Sequence, residues 1–364
     1  MRLQHFEHKL RPFFQDLLSE KAFSALYSLA RPKAIKALEN FTPSKGIINQ
    51  THSIKLFDNL NFRNDLGNAA GFDKDGSLLP FNYKIGAGFS VVGTVLNKKH
   101  SGNLYKNYGM TSNMWTPLTH SDSALNSLGL PSLGIDHTLD NIKKFCDRFQ
   151  PKNFPIGLSI MGHPAEEGQK KHDGVLQCIE KAKDEVDFFE INESCPNVSH
   201  HDSDLGELQI RLQSIHEARK SVQKTTPVFI KMGKIPDARG LLELLLKENI
   251  EGLVALNTQT DYPTFKKLLH QKDHKLFDYY TGNYKGGMSG KIIREHSLST
   301  IKNLNEINST LPKKIELIHV GGISNPEDVK QSRNYCELRE WYTCFMSALG
   351  SQEWENIYSN MTAT

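Results

Sequence analysis

The chain has 364 residues, 38% of them hydrophobic and 23% charged, which excludes an intrinsically disordered or low-complexity protein. Its net charge of +3 sits at one end: residues 1–41 carry seven Lys or Arg against four Asp or Glu, while the other 323 residues carry 37 of each. A neutral body lacks the basic face of a nucleic-acid-binding protein. The five cysteines, Cys146, Cys178, Cys195, Cys336 and Cys344, are scattered without a CxxC pair. They predict neither a disulfide framework nor a zinc site and fit a reducing compartment.

Residues 1–50 are read as a small N-terminal extension and 51–364 as the main domain. In the extension, Pro12 and Pro32 predict first helical turns, Ser19 an N-cap, and Phe23, Leu26 and Ala30 recur at helical spacing. Two or three short amphipathic helices are expected, with Phe13, Phe14, Leu17, Leu18, Phe23, Leu26 and Leu29 on their apolar faces. Two readings fit this pattern: a cap packed on the main domain, or a patch that enters a membrane surface or admits a lipid-like substrate. Charges interrupt the apolar residues too often for a signal peptide, and no later segment has the length of a membrane span.

From about residue 65 short apolar runs alternate with helix-length segments: LGNAAG (66–71), FSVVGT (89–94), IGLSI (156–160), DFFEIN (187–192), PVFIKM (227–232), GLVALN (252–257) and IELIHV (315–320). EWYTCFM (340–346) is a weaker last member. Such runs mark parallel strands covered on both faces, and about eight of them predict an α/β fold, a (β/α)8 TIM barrel carrying the small helical extension.

Nearly every run ends in a polar or glycine-rich element: Asp73 and Lys74, Thr94, Ser159, Asn192, Lys231, Asn257, then Gly321 and Gly322. In a barrel these ends share one face, where loops build the active site. The glycine signals NAAGFDKDG, GGMSG and VGGIS let backbone approach a flat ring or a phosphate, but none has the spacing of a Walker loop or a GxGxxG site. A lysine such as Lys231 at a strand end serves either as a Schiff base or as a fixed positive charge. Cys195, flanked by Asn192 and Asn197 in NESCPN, is open to three readings: nucleophile, proton-abstracting base, or incidental loop cysteine.

The ordered set LGNAAGFDKDG, VVGTV, ALNSLGLPSLGID, INESCPN, FIKMG, LNTQT, GGMSG and VGGIS resembles the dihydroorotate dehydrogenases, FMN enzymes of pyrimidine (UMP) synthesis, over roughly residues 55–345. The resemblance implies oxidation of dihydroorotate to orotate, with a proton leaving C5 for a base and a hydride leaving C6 for flavin N5. It implies FMN contacts at Ala69, Ala70, Gly71, Asp73, Thr94, Ser159, Asn192, Lys231 and Leu256. It places Gly290, Gly321, Gly322, Tyr342 and Thr343 on the FMN phosphate side. For the substrate it implies Lys74, Asn126, the amides of Leu128, Gly129 and Leu130, and Asn192, Asn197, Asn257 and Thr258. Cys195 stands at the position of the family's base.

Within that resemblance the chain mixes two classes. The extension and AAGFDKDG are similar to the membrane-associated, quinone-reducing class, which implies a quinone acceptor, a peripheral membrane contact through residues 1–41, and a place on the cytoplasmic side of the cell membrane. SCPN, NSLGLPS and MGHPAEEG (161–168) are similar to the soluble, fumarate-using class, which implies a cytoplasmic protein with fumarate as the alternative acceptor. Three departures stand out. Glu193 replaces an apolar residue, and either faces solvent or perturbs the base. Ser159 replaces an asparagine of the quinone class. The segment 327–346 lacks the usual AGA and apolar final strand, so a divergent FMN oxidoreductase or an inactive homologue is a further alternative.

Overall fold

A computed structural model describes residues 3–40, 53–57, 60–103, 114–193, 205–220, 226–351 and 354–363. Two short strands, β1 (Ile54–Leu56) and β2 (Leu60–Phe62), pair antiparallel ahead of the main sheet. Eight parallel strands then close on themselves: β3 (Leu66–Asp73), β4 (Ser90–Val95), β7 (Ile156–Ile160), β8 (Phe188–Asn192), β9 (Val228–Met232), β10 (Gly252–Ala255), β12 (Glu316–Val320) and β13 (Leu338–Trp341). The remaining strands, β5 (Trp115–Leu118), β6 (Ser123–Asn126) and β11 (Gly287–Gly290), make an antiparallel sheet beside the barrel mouth. The architecture is the expected (β/α)8 barrel, and its apolar runs become strands because helices cover their outer faces.

Aromatic rings close the barrel floor. Phe62 of β2 stacks edge-on against Phe89 at 5.5 Å, and Phe188 lies 5.5 Å from Phe229. These rings occupy space left by glycines on neighbouring strands: a Cβ on Gly157 would stand 2.3 Å from the Phe188 ring, and one on Gly252 2.2 Å from Phe229. Alternating large and absent side chains is how a tapering barrel interior fills without voids.

The last strand departs from expectation. It spans 338–341 rather than 340–346, and a helix, Thr343–Ser351, starts where strand was predicted. Its charges hid it. Arg339 points out of the barrel, where its Nη1 reaches Asp65 Oδ2 at 2.7 Å, while Glu340 points in and meets Lys231. Both charges are buried with partners, the condition under which a charged strand can sit inside a protein.

The extension forms two helices, α1 (Leu3–Leu17) and α2 (Glu20–Glu39). Ser19 caps α2 by accepting from the Ala22 N–H at 3.3 Å. Pro12 and Pro32, expected in first turns, lie inside the helices instead. Each removes one N–H from the helical ladder, a loss that tertiary packing offsets. Phe23 and Tyr27 are buried against Leu118, Phe277 and Tyr280, whereas Leu26 and Ala30 are exposed. Tyr27 of α2 donates to Glu7 of α1 at 2.7 Å, holding the two helices together, and a polar tie reinforces the docking: Gln15 donates to Asp273 at 2.5 Å while accepting from the Thr119 N–H at 2.9 Å. Phe13 and Leu17 remain largely exposed, at 59% and 65%. Among the described residues no helix is long and apolar enough to cross a membrane.

Candidate active site

The carboxyl ends of the barrel strands surround a cleft of about 1070 Å³, counting its open mouth. Of the residues singled out in the sequence, Ala69, Ala70, Gly71 and Lys74 line it from the end of β3, Thr94 from β4, Asn192 from β8 and Lys231 from β9. Leu256, Asn257 and Thr258 follow β10, Gly321 and Gly322 follow β12, and Tyr342 and Thr343 follow β13. Asn126, Leu128, Leu130 and Gly290 come from the antiparallel sheet and its loop. Residues far apart in sequence thus share one surface.

A chain of polar side chains crosses the mouth, and its direction is fixed. The Thr258 N–H donates to Asn257 Oδ1 at 2.8 Å, so Asn257 Nδ2 is the group that donates to Asn192 Oδ1 at 3.1 Å. Asn192 Nδ2 in turn donates to Thr94 Oγ1 at 3.1 Å. With one lone pair so engaged, Thr94 shares its hydroxyl with Ser159 Oγ, 3.1 Å away. Ser159 does not line the cleft; it stands behind Thr94.

Beneath that chain, Lys231 Nζ lies 3.0 Å from Glu190 Oε2 and 3.2 Å from Glu340 Oε2. All three side chains are buried. Burial alone would lower the lysine, but the two carboxyl groups outweigh it and hold the ammonium above its ordinary range. Burial foremost, and then the charge of Glu190, push the Glu340 carboxyl up to about 8 against the pull of Lys231. A charged lysine with a full ion-pair shell is no free amine, so the arrangement favours a fixed positive charge over a Schiff base.

Two residues from the list serve the site from behind. Asp73 is fully buried and accepts from the Gly76 N–H at 2.8 Å, shaping the turn that presents Lys74. Burial, helped by Asp75, raises its carboxyl to about 7. Gly129 sits at φ +65°, and a Cβ there would approach Asn103 Cγ to 2.6 Å. It is the spacer that lets Leu128 and Leu130 both face the cleft.

Cys195 and Asn197 lie outside the described residues. Glu193, just before them, is buried rather than solvent-facing, and Arg211 neutralises it through Nε at 3.1 Å and Nη2 at 2.9 Å. Sequence reasoning missed several contributors. Trp115 lines the cleft from β5 and is tied to α2, where Ser28 Oγ donates to the Trp115 carbonyl at 2.6 Å. Arg31 of α2 donates to the Tyr342 hydroxyl and to the Gly71 carbonyl, the latter at 3.5 Å. Ser289 accepts from Thr343 Oγ1 at 2.9 Å, and Cys344 adds a thiol that burial pushes up to about 12. Glu190 and Glu340 were legible only as inward positions of charged strands.

The family model described as dihydroorotate dehydrogenase matches residues 54–334. Among curated proteins, the dihydroorotate dehydrogenase (quinone) of Vibrio parahaemolyticus is 29% identical over 306 residues, 79% of this chain and 81% of that protein. The protein of the same description from Wigglesworthia glossinidia brevipalpis is 30% identical over 289 residues, 75% of this chain and 76% of its own. Among solved structures, the ligand-free DHODH of Eimeria tenella aligns with a TM-score of 0.74 at 18% identity, covering 92% of each chain. Its complex with ferulenol aligns at 0.70 and 21% identity, covering 92% of this chain and 93% of that one. The structural likeness fixes the fold, and with the sequence match over most of its length the chain belongs to the dihydroorotate dehydrogenase family.

Proposed function

We propose that this chain oxidises dihydroorotate to orotate with bound FMN, in pyrimidine (UMP) synthesis, and passes the electrons to a quinone. The observation that carries the reading is the cleft itself: a buried ammonium and a directed amide chain facing backbone made of small residues. The fit to FMN rests on three features. Ala69, Ala70 and Gly71 leave room for a flat ring to approach the backbone. Gly290, Gly321, Gly322 and Thr343 offer a phosphate backbone and hydroxyl groups, with Tyr342 beside them. Lys231 supplies positive charge where a reduced ring is electron-rich.

FMN, when bound, supplies the hydride acceptor. The chain's own residues bind and orient. Lys74, Asn126, Asn192, Asn257 and Thr258 hold the ring and carboxylate of the substrate, with the Leu128–Leu130 turn beside them. Cys195 takes the C5 proton, a role open to a thiol once it is deprotonated.

The quinone reading draws on the curated relatives and on the extension. Arg31 and Trp115 bring α2 to the edge of the cleft, and Phe6, Phe13, Leu17, Leu26 and Leu29 expose an apolar surface beside it. Such a face suits contact with a lipid surface in which a quinone dissolves. Fumarate is the competing acceptor, favoured by SCPN and NSLGLPS.

The test is a steady-state assay on purified full-length protein with dihydroorotate and, in turn, a short-chain quinone, fumarate and NAD. A yellow protein bleached by dihydroorotate and recoloured by quinone is expected. A colourless protein that takes up no FMN overturns the flavin reading, and recolouring by fumarate alone overturns the quinone.

A further inference from the structure

The barrel interior holds one feature that binding and orientation leave unused: two carboxyl groups on a single buried ammonium. Glu190 of β8 and Glu340 of β13 both reach Lys231, at 3.0 and 3.2 Å, and neither carboxyl lines the cleft. The Oε1 atom of each is buried without a hydrogen-bond partner. The strands flanking Glu340 bring no charge: in register with it stand Val320 of β12 and Gly67 of β3. In register with Glu190 stand Ser159 of β7 and Phe229 of β9, which add no charge either, and the titratable groups facing Glu340 are Glu190 and Lys231.

With all three ionised the cluster would carry an excess negative charge in a region of low dielectric. Two like charges sharing such a site do not both persist; one carboxyl keeps its proton. We propose that Glu190 and Glu340 are positioning residues that hold one proton behind Lys231 and so set how the potential of the flavin in this cleft depends on pH. This rests on the reading of the cleft as an FMN site. The upward displacement of the Glu340 carboxyl to about 8 agrees with a proton held through neutral pH.

The charge balance is simple. At neutral pH the cluster is neutral overall, with one ammonium, one carboxylate and one carboxylic acid; above about pH 8 it carries a single negative charge. A hydride delivered to the oxidised ring brings two electrons and one proton and adds one negative charge. Above the titration of the pair that charge is opposed by the second carboxylate. Reduction then draws one proton from solvent onto the pair, and no bond to substrate forms or breaks there. Through Lys231, which faces the cleft, the pair exerts its effect without touching the ring.

The test is a redox titration of the FMN-loaded protein against reference dyes, from about pH 6 to about pH 10, for the parent and Glu340→Gln. Both lines are expected to coincide near neutrality, and above about pH 8 the parent line should fall more steeply, leaving the variant more positive. Parallel lines with flavin bound overturn the proposal and leave the function intact. Glu190→Gln is a second variant with the same expected flattening, should Glu340→Gln not fold. Infrared titration supplies a readout independent of flavin: a carboxylic-acid carbonyl band that fades in the parent near pH 8 and is missing from Glu340→Gln. No such band in the parent overturns the proposal. A parent that shows the band but takes up no FMN overturns the reading of the cleft, and this proposal with it.

Discussion

Arg339 and Glu340 are consecutive residues of β13, both buried, and they enter two ion clusters of opposite imbalance. Outside the barrel two guanidinium groups share one carboxylate: Arg339 Nη1 lies 2.7 Å and Arg333 Nε 2.6 Å from Asp65 Oδ2. Inside it two carboxyl groups share one ammonium. A guanidinium cannot shed its charge, and the outer cluster recruits the carbonyls of Cys336, Glu337 and Thr362 for its surplus donors, although Arg339 Nε stays buried without a partner. A carboxyl can shed its charge by taking a proton, and the inner cluster leaves two oxygens unpartnered. The first is a brace with a fixed charge state; the second is adjustable, and it adjoins the cleft.

The sharpest way to break this contrast is Asp65→Ala, which strands the buried Arg339 guanidinium and the partly buried Arg333 beside it. A loss of about 3–5 kcal/mol in urea unfolding is expected, and a loss below about 1 kcal/mol would mean that the outer cluster braces nothing. Lys231→Met should cost much less stability near pH 6, about 1–3 kcal/mol, because both carboxyl groups can neutralise themselves. Its turnover should nevertheless fall roughly a hundredfold or more, measured with dihydroorotate on the loaded protein. Equal stability losses in the two variants would erase the difference drawn between the clusters.

The pH dependence of folding sharpens it further. Glu340 is raised to about 8 in the folded protein, so between the ordinary carboxylate range and pH 8 the folded chain holds a proton that the unfolded chain has released. Its contribution is complete below the ordinary range and is lost as pH rises toward 8. Asp73, raised to about 7, acts in the same sense. The melting temperature of the parent should therefore decline across this window, and Glu340→Gln should decline less while keeping the part due to Asp73. Ser159→Ala is the smallest change: Thr94 loses one hydroxyl partner, at about 1 kcal/mol or less by thermal melts. A larger loss would make Ser159 a support of the whole polar chain.

Most of the barrel was legible in the sequence because continuous apolar runs have few other homes. Seven of the expected runs became barrel strands within two residues at either end. β13 was nearly missed because Arg339 and Glu340 look like surface residues until barrel closure brings Asp65 and Lys231 to them. Lys231 and Asn192 could be placed in the cleft from their positions at strand ends. The pairing of Glu190 with Glu340 could not, since 150 residues separate them and only closure of the sheet makes them neighbours. Arg31 and Trp115 were hidden for a related reason: each belongs to an element outside the barrel whose docking no periodicity announces. The internal prolines of α1 and α2 misled in the other direction, because packing on the barrel overrides a local preference for first turns.

The bond from Ser28 to the Trp115 carbonyl carries a consequence for how such chains change over evolutionary time. Because α2 holds the strand that walls the cleft, the extension is not a detachable anchor. A lineage that shed it would expose one side of its own cleft and would have to rebuild that wall from barrel loops. Gain or loss of the helices and remodelling of the β5–β6 hairpin should thus travel together, as one inherited unit.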